Sequence, residues 1–123
     1  MGMEQRVEFD AAGKPRWADV AALLSQRSFP VEMRMIDGEL AFPNEAPPDG
    51  WRELRVATPG GMITVVRENN VVRIVTWGNA DVGMRQAWNA LTWACAEAGG
   101  GTIVTEAGRV PASEYRQHEA LPF

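Results

Sequence analysis

The chain has 123 residues, 46% hydrophobic and 23% charged, which excludes a disordered polymer and fits one domain burying roughly two-thirds of its unfolded surface. A net charge of -4, with dispersed arginines and Lys14 as the lone lysine, argues against a surface that neutralises nucleic-acid phosphates or a membrane face. The single cysteine, Cys95, excludes an internal disulfide and a cysteine-based zinc site, and a reducing compartment fits best.

Taken in chain order, the N-terminal ten residues are polar and carry no apolar run of the length that a signal peptide or membrane span requires, so a cytoplasmic location is expected. Arg6 to Phe9 can form a short strand. Trp17, Val20, Ala21 and Leu24 recur at helical spacing and predict an amphipathic helix over Pro15 to Arg27, with proline in its first turn. Ser28-Phe29-Pro30 stops it, because the residue before proline avoids the helical region.

Val31 to Phe42 reads as a hairpin about Asp37-Gly38, a dipeptide suited to the positive φ angles of a type I′ turn. The register that follows sets Met35 opposite Leu40 and Met33 opposite Phe42 on one core-facing side. Glu32, Arg34 and Ala41 take the other side. Three prolines and Asp49-Gly50 make Pro43 to Gly50 an exposed loop.

A meander comes next. Arg52 to Ala57 is a strand, Pro59-Gly60-Gly61 a turn, Met62 to Glu68 a strand, and Asn69-Asn70 a two-residue turn into Val71 to Trp77. That turn pairs Val65 with Ile74, Arg67 with Val72 and Ile63 with Thr76 on a largely apolar face that helices should cover. The opposite face carries Met62, Thr64, Val66, Arg73, Val75 and Trp77, more apolar than a solvent face needs to be.

Asn79 or Asp81 can cap a second helix running to about Ala98, with Met84, Trp88, Leu91, Cys95 and Ala98 on one stripe and Gly99 to Gly101 ending it. Thr102 to Thr105 reads as a last strand, and Pro111 to Glu119 as a short helix or an ordered tail. The fold class expected is α+β, one domain over residues 1–123. It is a single-layer antiparallel meander of five to six strands, with the N-terminal helix and the longer C-terminal-half helix packed on one face.

Catalytic chemistry finds little to build on. His118 is the only imidazole, so no transition-metal ligand set can be assembled around it and Cys95. A Cys95–His118 nucleophile pair would join a core-stripe thiol to a tail residue, and the simpler reading is a core cysteine and a solvated histidine. The glycines at 99 to 101 follow a helix, whereas a phosphate cradle precedes one. Asp81, Glu53 and Glu106 are available for acid–base work, but the sequence prefers no pair among them. No catalytic, metal or cofactor residues are therefore assigned, and no cofactor is expected.

Five tryptophans exceed what one small core absorbs. Trp93 lies about 140° around its helix from Trp88 and is expected to be exposed. Met62, Val66, Arg73, Val75 and Trp77 form a candidate apolar patch, and with Trp93 they are the expected interface residues; such patches mark interfaces more often than catalysis. The expected function is a non-catalytic protein-interaction module, self-associating as a homodimer or binding another protein. By analogy, a small acidic α+β domain with no catalytic set and a surplus hydrophobic sheet face is similar to bacterial accessory proteins that bind other proteins, such as effector chaperones or immunity proteins. The alternatives are a small-molecule binding domain with a Trp- and Met-lined pocket, or a carboxylate-dependent enzyme.

Overall fold

The computed structural model describes residues 2–11, 14–118 and 121–123. Eight strands and three helices follow in the order β1 (Gly2–Glu8), α1 (Trp17–Gln26), β2 (Glu32–Ile36), β3 (Glu39–Leu40), β4 (Glu53–Thr58), β5 (Gly61–Glu68), β6 (Val71–Trp77), α2 (Val82–Gly99), β7 (Thr102–Thr105), β8 (Gly108–Pro111) and α3 (Ala112–His118). The strands form one sheet in the order β3-β2-β4-β5-β6-β1-β7-β8, antiparallel at every described pairing. The fold is α+β, as the pattern predicts. The sheet is wider than the five or six strands expected, and the strand left unread is β8, four residues with no apolar alternation.

The meander keeps its predicted register, with Val65 opposite Ile74 and Arg67 opposite Val72. Asn69 takes φ 55°, the left-handed conformation that asparagine tolerates in such a turn. Ile63, Val65, Val72 and Ile74 are buried, so this face carries the core. The first strand joins it from far away: β1 pairs with β6 from Gly2↔Trp77 to Glu8↔Val71, and with β7 from Arg6↔Val104 to Glu8↔Thr102.

The β2–β3 hairpin departs from the expected alternation. Asp37 (φ 50°) and Gly38 (φ 85°) make the turn, and Met35 does oppose Leu40. A bulge between Met33 and Met35 then shifts the pairing against β4, so that Met33 opposes Val56 and Met35 opposes Arg55. One extra residue, Arg34, reverses which side the chain presents. Met33 is buried in the core while Met35 turns to the other face with exposed Leu40, and Phe42 lies beyond the end of β3, exposed.

Helix α1 begins at Trp17, two residues later than predicted, with Arg16 extended at its N-cap. Its end is a Schellman motif: Ser28 is left-handed (φ 58°), Phe29 N donates to Leu24 O at 2.9 Å, and Ser28 N donates to Ser25 O at 3.0 Å. Leu24 and Phe29 are both buried, supplying the apolar contact that accompanies this cap. In α2 the cap is Asp81, whose side chain accepts from Met84 N at 2.9 Å, and left-handed Gly100 closes the far end. The stretch Asn89 to Ala96 is buried all the way round. The sheet lies beneath this central helix, and α1 and α3 flank it.

The β4–β5 turn meets the start of α2 backbone to backbone. A Cβ on Gly60 would lie 2.2 Å from Gly83 O, so only glycine permits this approach.

Candidate functional site

Helix α2 packs on β1, β5, β6 and β7, on the side where Val7, Ile63, Val65, Val72 and Ile74 are buried, and the described segments able to cover a sheet face gather on that same side. Helix α1 rests on α2. The loop after β3 ends in Trp51, which is buried in the core cluster. The C-terminal Phe123 packs against Trp93, with ring centroids 5.3 Å apart, and against Phe29 at 6.3 Å. The second sheet face is thus open among the described residues.

On this open face the register builds an apolar centre. Ala57 opposes Met62, and Thr64 opposes Val75, with Val66 opposite Arg73. Met62 is 41% exposed and Trp77 66%, while Thr64, Val66, Arg73 and Val75 are partly covered by their neighbours. The residue across from Trp77 on β1 is Gly2, so no side chain shields the indole on that flank. Leu40 and Met35 continue the apolar surface toward the β3 edge.

Charges of both signs ring this centre. Arg73 bridges Glu4 at 3.2 Å and Glu68 at 2.9 Å; burial pulls its pKa down, but these two hydrogen bonds and their charges outweigh that and raise it. Arg109 pairs with Glu8, and Glu53 and Arg55 stand on β4 beside Val66 and Thr64.

Five of the six predicted interface residues, Met62, Val66, Arg73, Val75 and Trp77, therefore share one face, and Trp93 does not. Trp93 is 3% exposed, on the other side of the sheet. Phe123 packs on it, and the guanidinium groups of Arg27 and Arg116 each lie 5.6 Å from its ring centroid. Its helix angle relative to Trp88 is the expected one; α1, α3 and the C-terminal residues cover the side that the sequence leaves bare.

Two polar constellations escaped the sequence reading. Gln5, Asn89 and Tyr115 meet beneath α2: the Tyr115 hydroxyl donates toward Gln5 Oε1 (2.5 Å) and Asn89 Oδ1 (2.9 Å), and Gln5 Nε2 donates to Asn89 Oδ1 (2.9 Å). Gln5 stands among strand residues that alternate inward with Val7, which is the one signal the sequence offered. At the other end of the sheet Arg67 lies 4.2 Å from the Trp51 ring centroid, donates Nε–H to Trp51 O at 3.0 Å, and donates to Asp49 O. Desolvation lowers its pKa, opposed by the charges of Asp37 and Asp49. Asp37 in turn accepts from Arg52 N (2.7 Å) and Glu53 N (2.9 Å), and the Glu53 and Arg52 hydrogen bonds hold its carboxyl below the usual carboxylate range. This is a clamp that closes the proline-rich loop on the sheet.

Cys95 is fully buried, and desolvation pushes its thiol up to about 12; the His118 side chain lies outside the described residues. Among the described residues no three of His, Cys, Asp or Glu converge as metal ligands, and no helix is long and apolar enough to cross a membrane. A cleft of about 540 Å³ opens between β1 and α2, with Met3 and Trp88 among its walls and Gln5 and Asn89 at its inner end.

Comparison with known protein families, characterised proteins and solved structures found no match to this chain.

Proposed function

We propose that the protein is a non-catalytic interaction module that pairs with a second copy of itself through the open sheet face. The observation that supports this reading is the exposure of Met62 and Trp77 at 41% and 66%, next to Val75 and Val66, on a face that no helix covers among the described residues. Exposed apolar patches with a polar rim mark association surfaces, and a central tryptophan is the residue type that dominates their energetics.

The rim favours a second copy over a strongly charged partner. Glu4, Glu53 and Glu68 share the rim of the apolar centre with Arg6, Arg55 and Arg73, so two such faces related by a two-fold axis can set acids against arginines.

Light scattering across a concentration series, on the wild type and on Val75→Asp and Trp77→Ala, tests the reading. The wild type is expected to reach the mass of a dimer. Loss of a central tryptophan contact of about 2 kcal/mol raises the dissociation constant roughly thirtyfold. Trp77 is mostly solvent-exposed, so Trp77→Ala should leave the monomer's thermal stability nearly unchanged. A wild-type chain that stays monomeric at high concentration, or variants that associate as well as wild type, would overturn self-association.

A further inference from the structure

One buried hydroxyl on the core face of the sheet is left unused by the fold. Thr76 alternates inward with Val72 and Ile74 on β6 and is 6% exposed, yet its hydroxyl has no hydrogen-bond partner among the described residues. Burying a hydroxyl without a partner costs free energy, and native folds keep few such groups. Thr76 opposes Met3 across the β1–β6 pairing, and Ile74, two residues back on the same face, opposes Gln5. The Trp88 indole N–H donates to the Ile74 carbonyl at 2.7 Å, so α2 lays this ring over the same corner of the sheet.

Met3, Gln5 and Trp88 are also walls of the cleft of about 540 Å³ between β1 and α2. That volume is within the roughly 300–1,000 Å³ of ordinary ligand sites. Its inner end is held in place: Gln5 and Asn89, both more than nine-tenths buried, are bonded to each other and to Tyr115. Gln5 gives one amide hydrogen to Asn89 Oδ1, and its second is a further donor there. Met3 is half-buried and unbranched, the adaptable side chain of the set.

The charges at the cleft do not favour an ion. Arg85 and Glu106 stand on it with opposite signs, and Glu4 is already bridged by Arg73. Apolar walls with hydrogen-bond donors at the inner end suit a flat ring that carries an acceptor. We infer that the cleft is a binding site for an uncharged planar ring compound with a carbonyl, a lactam or an aromatic carboxamide. The ring lies between Met3 and Trp88. Its carbonyl accepts from the Thr76 hydroxyl, which Met3 uncovers by changing rotamer. The site is on the helix side of the sheet, so it is independent of pairing through the open face.

The test titrates nicotinamide, benzamide and uracil into the full chain, with benzoate as the charged counterpart, by calorimetry and by NMR of the tryptophan indole protons. At least one neutral probe is expected to bind with Kd below about 1 mM and to shift the Trp88 Nε1–H resonance. Benzoate should bind at least about fivefold more weakly than the best neutral probe. Thr76→Val keeps the shape of the side chain and removes the hydroxyl. Because that hydroxyl bonds to nothing in the fold, the variant should melt no lower than wild type, yet weaken the probe at least about fivefold. Met3→Trp, which fills the cleft from β1, should weaken it at least about tenfold. The Met3→Trp and indole readouts decide the matter if Thr76→Val does not fold. No binding by any neutral probe, benzoate binding as tightly as they do, binding that leaves the Trp88 resonance in place, or binding that either variant leaves unchanged each overturns the proposal.

Discussion

Replacing Arg67 with methionine tests the clamp at the end of β5. Arg67 is 8% exposed, stacks 4.2 Å from the Trp51 ring centroid, and donates to the Trp51 and Asp49 carbonyls. A hydrogen bond to a charged group contributes about 1.5–3 kcal/mol, and a partly desolvated cation–π contact about 1–2 kcal/mol. Methionine retains the apolar stem and removes a buried charge that is costly to desolvate, which offsets part of the loss. The expected net destabilisation is about 2–3 kcal/mol. With an unfolding entropy of roughly 2.1 cal/mol/K per residue, a chain of this length loses about 4 °C of Tm per kcal/mol, so Arg67→Met should melt about 8–12 °C lower. Thermal unfolding followed by circular dichroism gives the shift, and tryptophan fluorescence reports the freed Trp51. Arg67→Lys, which keeps the charge and loses the fork, should fall between the two. A methionine variant melting within about 2 °C of wild type would show that the clamp contributes nothing and that the loop closes by apolar packing alone.

Two further outcomes follow from the packing. Gly60→Ala would set a Cβ 2.2 Å from Gly83 O, a backbone atom that cannot rotate away, so a loss of about 1–3 kcal/mol is expected in denaturant titration; an unchanged midpoint would mean that the turn and α2 separate freely. The buried Cys95 thiol should resist a thiol reagent at pH 8 in the native state and react at once in denaturant. Its pKa is about 12 in the fold against 9.0 in its absence, so the unfolded chain releases the proton first, and this contribution to stability declines as pH rises from about 9 toward 12. Cys95→Ala should lack that component, and identical pH profiles for the two proteins would contradict it.

The legible parts of this fold are those whose register is set within a few residues. Asn69-Asn70 fixes the pairing of β5 with β6, and once Val65 opposes Ile74 the apolar and mixed faces follow by alternation. Asp81 and Gly100 mark the ends of α2 because caps are local chemistry. Apart from the start of α1 and the short strand β8, the failures are long-range. Nothing in Val31 to Ile36 announces a bulge, whose position depends on β4. Trp93 looks bare on a helical wheel because the wheel omits α1, α3 and Phe123. Trp51 follows a loop and belongs to no periodic segment, so its burial comes into view only once Arg67 lies against it.

The place of β1 in the sheet has a consequence for how the protein is made. Residues 2 to 8 are made long before either of their neighbours, β6 beginning at Val71 and β7 at Thr102. The meander of β4, β5 and β6 can close locally without β1, and among the described strands the β7–β8 hairpin joins the sheet through β1 alone. Strand β1 therefore joins two parts of the sheet that are made at different times, and until it docks the edges of β6 and β7 that it covers stay unpaired.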